Sequence, residues 1–114
     1  MTQLTLIKNA PKLGSVYYAT DGCNIKIGHT ERQPKRRGGE IKTEIIYSIP
    51  GGLIDERRHH RMWAKCRIPG TEWFRPADDM LLWLAAQLTQ HGPTRELATL
   101  RQVILNHKQA ERAA

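Results

Sequence analysis

The sequence predicts an α+β fold, with a small three-stranded antiparallel sheet flanked by helices and added helices at the C-terminal end. Short β-branched and aromatic runs separated by turn residues lie in the first half of the chain, which is typical of antiparallel strands. The second half, from Asp78 onward, spaces its apolar residues at helical intervals around one Gly-Pro break. A length of 114 residues favours one domain with a modest core.

Three segments are predicted along the chain. Residues 1–13 hold one short apolar alternation and Pro11, which is consistent with either an edge strand or a loose N-terminal arm. Residues 14–75 contain the predicted strands and a helix, and we interpret them as the functional core. Residues 76–114 are predicted to form a helical extension.

A β-hairpin is predicted at the start of the core. Residues 16–20 are β-branched and aromatic and favour a strand. Asp21-Gly22 favours a turn, because Gly tolerates positive φ and Asp binds its own backbone. Residues 24–28 then alternate polar and apolar side chains, as a half-buried second strand does. The hairpin is expected to gather a phenol, an amine and an imidazole, those of Tyr17, Lys26 and His29.

The third strand is predicted over residues 43–49, which contain three isoleucines and a tyrosine and are followed by Pro50. Ahead of it, Pro34 suits the first turn of a short helix, because its fixed φ matches the helical value. The pair Gly38-Gly39 is expected to interrupt or shorten that helix, since each Gly costs roughly 1 kcal/mol relative to Ala in a helix interior.

A helix is predicted over residues 53–65. Spacings of i, i+4 and i+7 put three side chains on one face of it, those of Glu56, His60 and Trp63. Three arginines point elsewhere, namely Arg57, Arg58 and Arg61. Residues 72–74 are expected to be short and extended.

Two helices are predicted in the extension. Asp78-Asp79 suits a helix N-terminus, where negative charge is favourable, and the apolar run 80–86 is expected to be largely buried. The helix that begins at Thr94 carries an apolar stripe at helical spacing, made of Leu97, Leu100, Val103 and Ile104. This stripe is expected to close the core, to support binding, or to form a homodimer through the C-terminal helices.

The charge of the chain favours a polyanionic partner. The formal net charge is +7 and the pI is about 9.9. Eleven of the 18 basic residues, but only five acids, lie between Lys26 and Arg67, so most of the excess charge belongs to the predicted core. Nucleic acid is therefore favoured over an acidic small molecule, with an ordinary solvated surface as the alternative.

The cysteine count and the hydropathy pattern indicate in which cellular compartment the chain is expected. Cys23 and Cys66 are too few for a disulfide framework, so a cytoplasmic location is the default expectation. No cationic leader precedes a long apolar run, and no 18 apolar residues follow one another, so neither export nor a membrane span is expected.

Several motifs resemble those of the GIY-YIG nuclease superfamily. Residues 16–18 read Val-Tyr-Tyr, residues 26–28 read Lys-Ile-Gly, and Pro34 and Arg37 follow. This order is similar to that of the small phage and bacterial branch, which has Lys-Ile-Gly where the namesake has Tyr-Ile-Gly. Downstream, the run Gly-Thr-Glu-Trp-Phe at residues 70–74 resembles that branch's closing motif, and its helix is matched by Glu56, His60 and Trp63.

The resemblance covers about residues 14–75 and departs from the family at three places. Ser15-Val16 stands where the family has Gly-Ile, Thr71 is inserted in the closing motif, and Gly38-Gly39 lies where the family's helix continues.

The resemblance implies an endonuclease that uses Mg²⁺ or Mn²⁺ to cleave DNA. Glu56 is implied as the metal ligand, because Mg²⁺ can be held by one carboxylate together with water and substrate phosphate oxygens. Arg37 or Arg36 would bind the non-bridging phosphate oxygens, since guanidinium binds phosphate bidentately. The spacing from Pro34 favours Arg37, whereas the spacing in the longer-known Tyr-Ile-Gly members of the family favours Arg36.

Tyr17 is implied as the group that takes the proton from the attacking water. A free phenol has a pKa near 10 and is a poor base at neutral pH, so a cation is required nearby, and Lys26 across the hairpin is the candidate. Tyr18 would point to the other face of the strand, so only one of the two tyrosines can serve. His29 and His60 are candidates for a proton relay or for structural hydrogen bonds.

The expected nucleic-acid contacts are basic side chains of the core, namely Lys35, Arg36, Lys42, Arg57, Arg58, Arg61 and Lys65. Two other functions stay open. One is a non-catalytic nucleic-acid-binding or regulatory protein on the same fold, which the altered first motif and the Gly38-Gly39 interruption favour. The other is a ribonuclease, which would use the same residues.

Overall fold

The computed structural model describes residues 14–31, 37–38, 43–91 and 94–113. These residues form five strands: β1 Ser15–Thr20, β2 Ile25–Thr30, β3 Arg37–Gly38, β4 Thr43–Pro50 and β5 Trp73–Phe74. Three α-helices accompany them: α1 Leu53–Met62, α2 Asp78–His91 and α3 Thr94–Ala113. A 3₁₀ turn, Ala64–Cys66, follows α1.

The strands make one antiparallel sheet in the order β3-β4-β1-β2-β5. The predicted α+β class is confirmed, and the three predicted strands are β1, β2 and β4 at its centre. The prediction of three strands was short by two, because β3 and β5 contain two residues each and have no readable periodicity.

The segment around Gly38 differs from its prediction. A helix from Pro34, interrupted at Gly38-Gly39, was expected, but Arg37–Gly38 pairs with Thr43 and Glu44 as β3. Extended backbone avoids the cost of Gly in a helix interior. Pro34 and Gly39 lie outside the described residues.

The hairpin turn forms where it was predicted. Asp21 Oδ1 accepts the backbone N–H groups of Cys23 and Asn24 at 2.9 and 2.8 Å, and Gly22 has a φ of +105°. The carbonyl of Gly22 accepts a hydrogen bond from Asn106 Nδ2 on α3 at 2.8 Å. The turn is therefore fixed both by its own side chain and by the C-terminal helix.

The register of the hairpin gives the sheet two different faces. Tyr18 is opposite Ile27 and both are fully buried, because their face is covered by the helices. Tyr17 is opposite Gly28 on the other face of the sheet, which it shares with Lys26.

Helix α1 is three residues shorter than predicted. It begins after Gly52, whose backbone N–H donates to Asp55 Oδ2 at 2.9 Å, and it ends at Met62. Trp63 follows the helix and is 5 % exposed. It packs in the core, whereas Glu56 and His60 are half-buried.

The C-terminal helices complete the same hydrophobic core as the sheet. Their buried side chains are Met80, Leu81, Leu84, Leu88, Leu100 and Val103. Leu97 and Ile104 pack against this cluster, so the apolar stripe of α3 is covered within the chain. That packing leaves the expected homodimer through the stripe without support. In the part of the chain that the structure describes, no helix combines the length and apolarity that a membrane crossing requires.

Candidate functional site

Helix α1 is attached to β2 by one histidine. His60 Nε2 lies 2.9 Å from the Ile27 carbonyl oxygen. A carbonyl only accepts, so Nε2 carries the hydrogen and donates. In the neutral ring Nδ1 is then the acceptor. The backbone N–H of Ile27 donates to the carbonyl of Glu72 at 3.1 Å, which places this contact at the β5 side of β2. The ring of His60 also meets Phe74 edge-on, at 5.2 Å between centroids.

Tyr17 approaches the next residue of β2 from the other face of the sheet. A Cβ on Gly28 would lie 2.5 Å from Tyr17 Oη and 2.6 Å from its Cζ, closer than real carbon atoms come. The tyrosine ring therefore occupies the space above Gly28. Tyr17 and His60 are more than 40 residues apart in the sequence. In the fold they contact adjacent residues of β2.

A cleft of about 490 Å³ opens beside His60. Glu56 lies one helical turn before His60 and lines it, and Glu72 supplies a second carboxylate. The lining residues are Glu56, Arg57, His60, Arg61, Ala64, Arg67 and Glu72. Three guanidinium groups, two carboxylates and an imidazole suit a phosphate group with an associated cation.

A buried network lies next to this cleft, behind α1. The Trp63 indole N–H donates to Tyr18 Oη at 3.1 Å, and Tyr18 Oη lies 2.5 Å from His59 Nδ1. We assign the Tyr18 hydroxyl as the donor to Nδ1, because burial favours a neutral His59, and the His59 hydrogen is then on Nε2.

The pKa shifts of His59 and Tyr18 agree with these hydrogen-bond directions. Burial lowers the pKa of His59, and the nearby Arg58 charge lowers it further. Burial likewise raises the pKa of Tyr18 well above its ordinary value, and this outweighs the opposing effect of the Trp63 hydrogen bond. Tyr18 is therefore a neutral structural donor at physiological pH. Of the two tyrosines, only the half-buried Tyr17 suits a chemical role.

Sequence reasoning missed this network, although a signal for it existed. Glu56 with His60, and His59 with Trp63, are both i, i+4 pairs on a helix. The first pair faces the cleft and the second faces the core. Trp63 is the larger apolar group, so its partner at i−4 was the better candidate for burial.

The three predicted site residues of the hairpin lie on different faces of the sheet. Lys26 shares the face of Tyr17 and is diagonal to it, since Lys26 pairs with Ala19. His29 is opposite Val16 and lies on the helix-covered face, so it is separated from Tyr17 by the sheet. Neither Tyr17 nor Lys26 lines the 490 Å³ cleft.

Of the two arginines predicted for the phosphate, only Arg37 lies within the described residues, and its strand is distant from the cleft. Arg37 pairs with Glu44 in β3, at the opposite edge of the sheet from β5. Three strand spacings, roughly 14 Å, separate β3 from β2. Arg36, Lys35 and Lys42 lie outside the described residues. The arginines that do line the cleft are Arg57, Arg61 and Arg67.

Two other predicted basic residues are held by acids. Arg58 forms an ion pair with Asp55 at 3.3 Å. Lys65 Nζ lies 2.5 Å from Asp79 Oδ2, and this hydrogen bond raises the pKa of Lys65 and lowers that of Asp79. Both pairs are exposed and contribute little to stability.

A hard divalent cation at Glu56 would have to keep most of its water, because few protein ligands among the described residues lie near it. Glu56 belongs to no group of three clustered His, Cys, Asp or Glu side chains among the residues that can be described. One such group exists there, Asp78, His107 and Glu111, with its ligand atoms within 4.8 Å of one another. Its side chains already pair with each other, His107 with Asp78 at 3.0 Å and with Glu111 at 3.4 Å.

A scan against protein-family models, a search of the curated proteins and a search of the solved structures each found no match. The described residues offer a cleft with acceptors and cations suited to a phosphate diester, and Tyr17 lies over β2 on the other face of the sheet.

Proposed function

We propose that the chain is a small metal-dependent endonuclease of the GIY-YIG type that hydrolyses phosphodiester bonds in DNA. One observation carries the proposal: Tyr17 covers Gly28 while His60, from the helix that bears Glu56, binds the adjacent Ile27. Residues of the Val-Tyr-Tyr, Lys-Ile-Gly and Glu56–His60 motifs thus meet at adjacent residues of β2, Tyr17 from one face of the sheet and His60 from the helix α1 that covers the other.

The roles follow from the chemistry of each group. Glu56 would hold Mg²⁺ or Mn²⁺, which supplies Lewis-acid stabilisation of the leaving oxygen when bound. Tyr17, which shares a face of the sheet with Lys26, is the candidate that the resemblance implies for the proton of the attacking water, but neither side chain lines the Glu56 cleft. His60 does line the cleft and is the second candidate, because its Nε2 is committed to Ile27 and its Nδ1 is left for a proton.

Charge on the phosphate oxygens needs a guanidinium. Arg57, Arg61 and Arg67 line the cleft, and we propose that one of them binds the reacting phosphate. This assignment replaces the expected Arg37, because β3 lies at the other edge of the sheet; the alternative, Arg36, lies outside the described residues. The basic lining would bind the strand through its phosphates, which gives strong salt dependence without sequence specificity.

A second candidate function is a non-catalytic nucleic-acid-binding protein on the same fold. The position of Arg37 favours it, since the arginine implied by the resemblance starts from a strand distant from Glu56. Such a protein would retain the basic cleft and would need no metal.

One experiment separates these functions. The purified chain is incubated with labelled duplex DNA, single-stranded DNA and RNA, each with Mg²⁺, with Mn²⁺ and with EDTA. Metal-dependent cleavage of DNA supports the nuclease, and preferential cleavage of RNA identifies a ribonuclease. Salt-sensitive retention of intact strands under all conditions supports the binding protein. Absence of both cleavage and binding contradicts every form of the proposal.

A further inference from the structure

A second basic pocket of about 480 Å³ lies beside the Glu56 cleft. Its lining residues include three cations and no carboxylate: Lys65, Cys66, Arg67, Ile68, Pro69, Arg75 and Ala77. A concave surface lined by like charges of this sign attracts an anion. None of the motifs discussed above includes Arg67 or Arg75.

The backbone fixes the two arginines relative to each other. Arg67 forms an antiparallel bridge with Phe74, and the backbone N–H of Arg75 donates to the Cys66 carbonyl at 2.8 Å. The Nε–H of Arg67 donates to the Thr71 carbonyl at 2.7 Å, which sets the direction of that side chain. Both side chains are exposed. Lys65 is the weaker contributor, because Asp79 already binds it.

Arg67 lines both pockets. The Glu56 cleft and the second pocket are therefore neighbouring parts of one basic surface, with Arg67 at their junction. A polymer with a charge on every unit fits two neighbouring anion sites better than a single small anion does.

We infer that the pocket of Arg67 and Arg75 binds a backbone phosphate of the same nucleic-acid strand whose reacting phosphate lies in the Glu56 cleft. The strand then runs from the cleft across Arg67 to Arg75. This inference rests on the proposed nucleic-acid function and adds a flanking subsite to it. It assigns the bound partner as a phosphodiester strand and makes Arg75 a residue for affinity, with no part in the chemical step.

The test measures binding without cleavage. Fluorescence anisotropy of a labelled 20-base-pair DNA duplex is recorded in EDTA at several salt concentrations. Variants Arg75→Gln and Arg67→Gln are compared with Arg101→Gln, which removes an exposed arginine from α3. Arg75→Gln is expected to weaken binding by about three- to tenfold and to lower the slope of log K against log salt by about 0.9. Arg75→Lys should restore most of the affinity, and Arg101→Gln should bind like the unmodified chain.

The outcomes distinguish the subsite from the nuclease. If DNA is cleaved but Arg75→Gln binds it like Arg101→Gln, the subsite is refuted and the nuclease stands. If Arg75→Gln loses affinity but no substrate is cleaved by the unmodified chain, the subsite stands and the nuclease is refuted. A third experiment uses inorganic phosphate as the ligand. If phosphate stabilises the chain against heat through Arg75 while DNA affinity does not depend on Arg75, the pocket binds a free anion and the inference is overturned.

Discussion

The ring of Tyr17 lies across Gly28, its partner on the neighbouring strand, with the hydroxyl where a side chain at residue 28 would begin. Gly28 has no need of a left-handed backbone, and its φ is not positive. Its role is steric, because only a residue without Cβ lets the ring pass over the strand. The Gly of Lys-Ile-Gly and the first Tyr of Val-Tyr-Tyr are thus one packing unit.

This relationship predicts the effect of Gly28→Ala. The added methyl displaces the Tyr17 ring and should destabilise the fold by about 1–3 kcal/mol, as overpacking does. Urea unfolding measures the loss. Ser48→Ala, at the other cross-strand partner of Tyr17, is the control and should change stability little because Ser48 is exposed.

A double-mutant cycle gives the sharper test. A Tyr17→Ala background removes the three atoms nearest to the added methyl, so Gly28→Ala should cost clearly less there. Equal costs in both backgrounds would show that the ring does not occupy this position.

The buried network predicts a large effect from one hydroxyl group. Tyr18→Phe leaves the Trp63 indole N–H and His59 Nδ1 without their partner, so it should lower the free energy of unfolding by about 1–3 kcal/mol. Tyr47→Phe is the matched control, because the Tyr47 hydroxyl lies 3.5 Å from Gln87 Oε1 and forms a weak bond at most. Thermal or urea unfolding of both variants measures the difference. Similar losses in the two would contradict the network.

Much of this fold was predictable from the sequence, and the reasons are specific. Strands β1, β2 and β4 have alternation or β-branched runs, and turn residues bound them, so local chemistry sufficed. Strand β3 could not be predicted, because two residues carry no period and their pairing with β4 is a tertiary property. The network of Tyr18, His59 and Trp63 was missed for a different reason. Which of two helical faces is buried depends on where the helix sits on the sheet.

Motif spacing selected Tyr17, Glu56 and His60 as site residues. Glu56 and His60 lie on one cleft, whereas Tyr17 lies on the other face of the sheet, which motif spacing alone could not indicate. Of the cleft arginines, Arg57 and Arg61 were among the predicted nucleic-acid contacts, whereas Arg67 was not, because it comes to the cleft through the turn after α1. Sequence spacing gives no measure of that approach.

The lowered pKa of His59 predicts a dependence of stability on pH. Burial and Arg58 keep His59 neutral in the folded chain, whereas the unfolded residue titrates at its ordinary value of about 6.5. Below that pH the unfolded chain binds a proton that the folded chain does not, so stability falls as pH falls through this window. One such group changes the free energy of unfolding by at most about 1.4 kcal/mol per pH unit.

Two measurements check this. An NMR titration should give a pKa for His59 below 6.5, and urea unfolding between pH 7.5 and pH 5 should show the loss of stability. In His59→Gln that part of the pH dependence should disappear. An imidazole at residue 59 that titrates at or above 6.5 would contradict the assigned tautomer.

Two substitutions of His60 distinguish a structural role of this side chain from a chemical one. Gln keeps an N–H donor for the Ile27 carbonyl but has no basic nitrogen, whereas Ala removes both. If His60 moves a proton, His60→Gln should retain the stability of the fold and lose turnover on the order of 100-fold, as for a general base. His60→Ala should lose both. Full cleavage by a stable His60→Gln protein would restrict His60 to holding α1 on β2 and leave the proton to Tyr17.

Glu56→Gln tests the proposed metal site itself. The amide has nearly the same shape but no charge, so DNA binding in EDTA should stay the same or tighten slightly, since a negative charge leaves the basic cleft. Cleavage in Mg²⁺ should fall by roughly 1,000-fold, because several kcal/mol of metal stabilisation is removed. Glu72→Gln is the matched control, since Glu72 is the other carboxylate of the same cleft. Equal loss in both variants would mean that the two acids act jointly. Unimpaired cleavage by a folded Glu56→Gln protein would exclude Glu56 as the metal ligand.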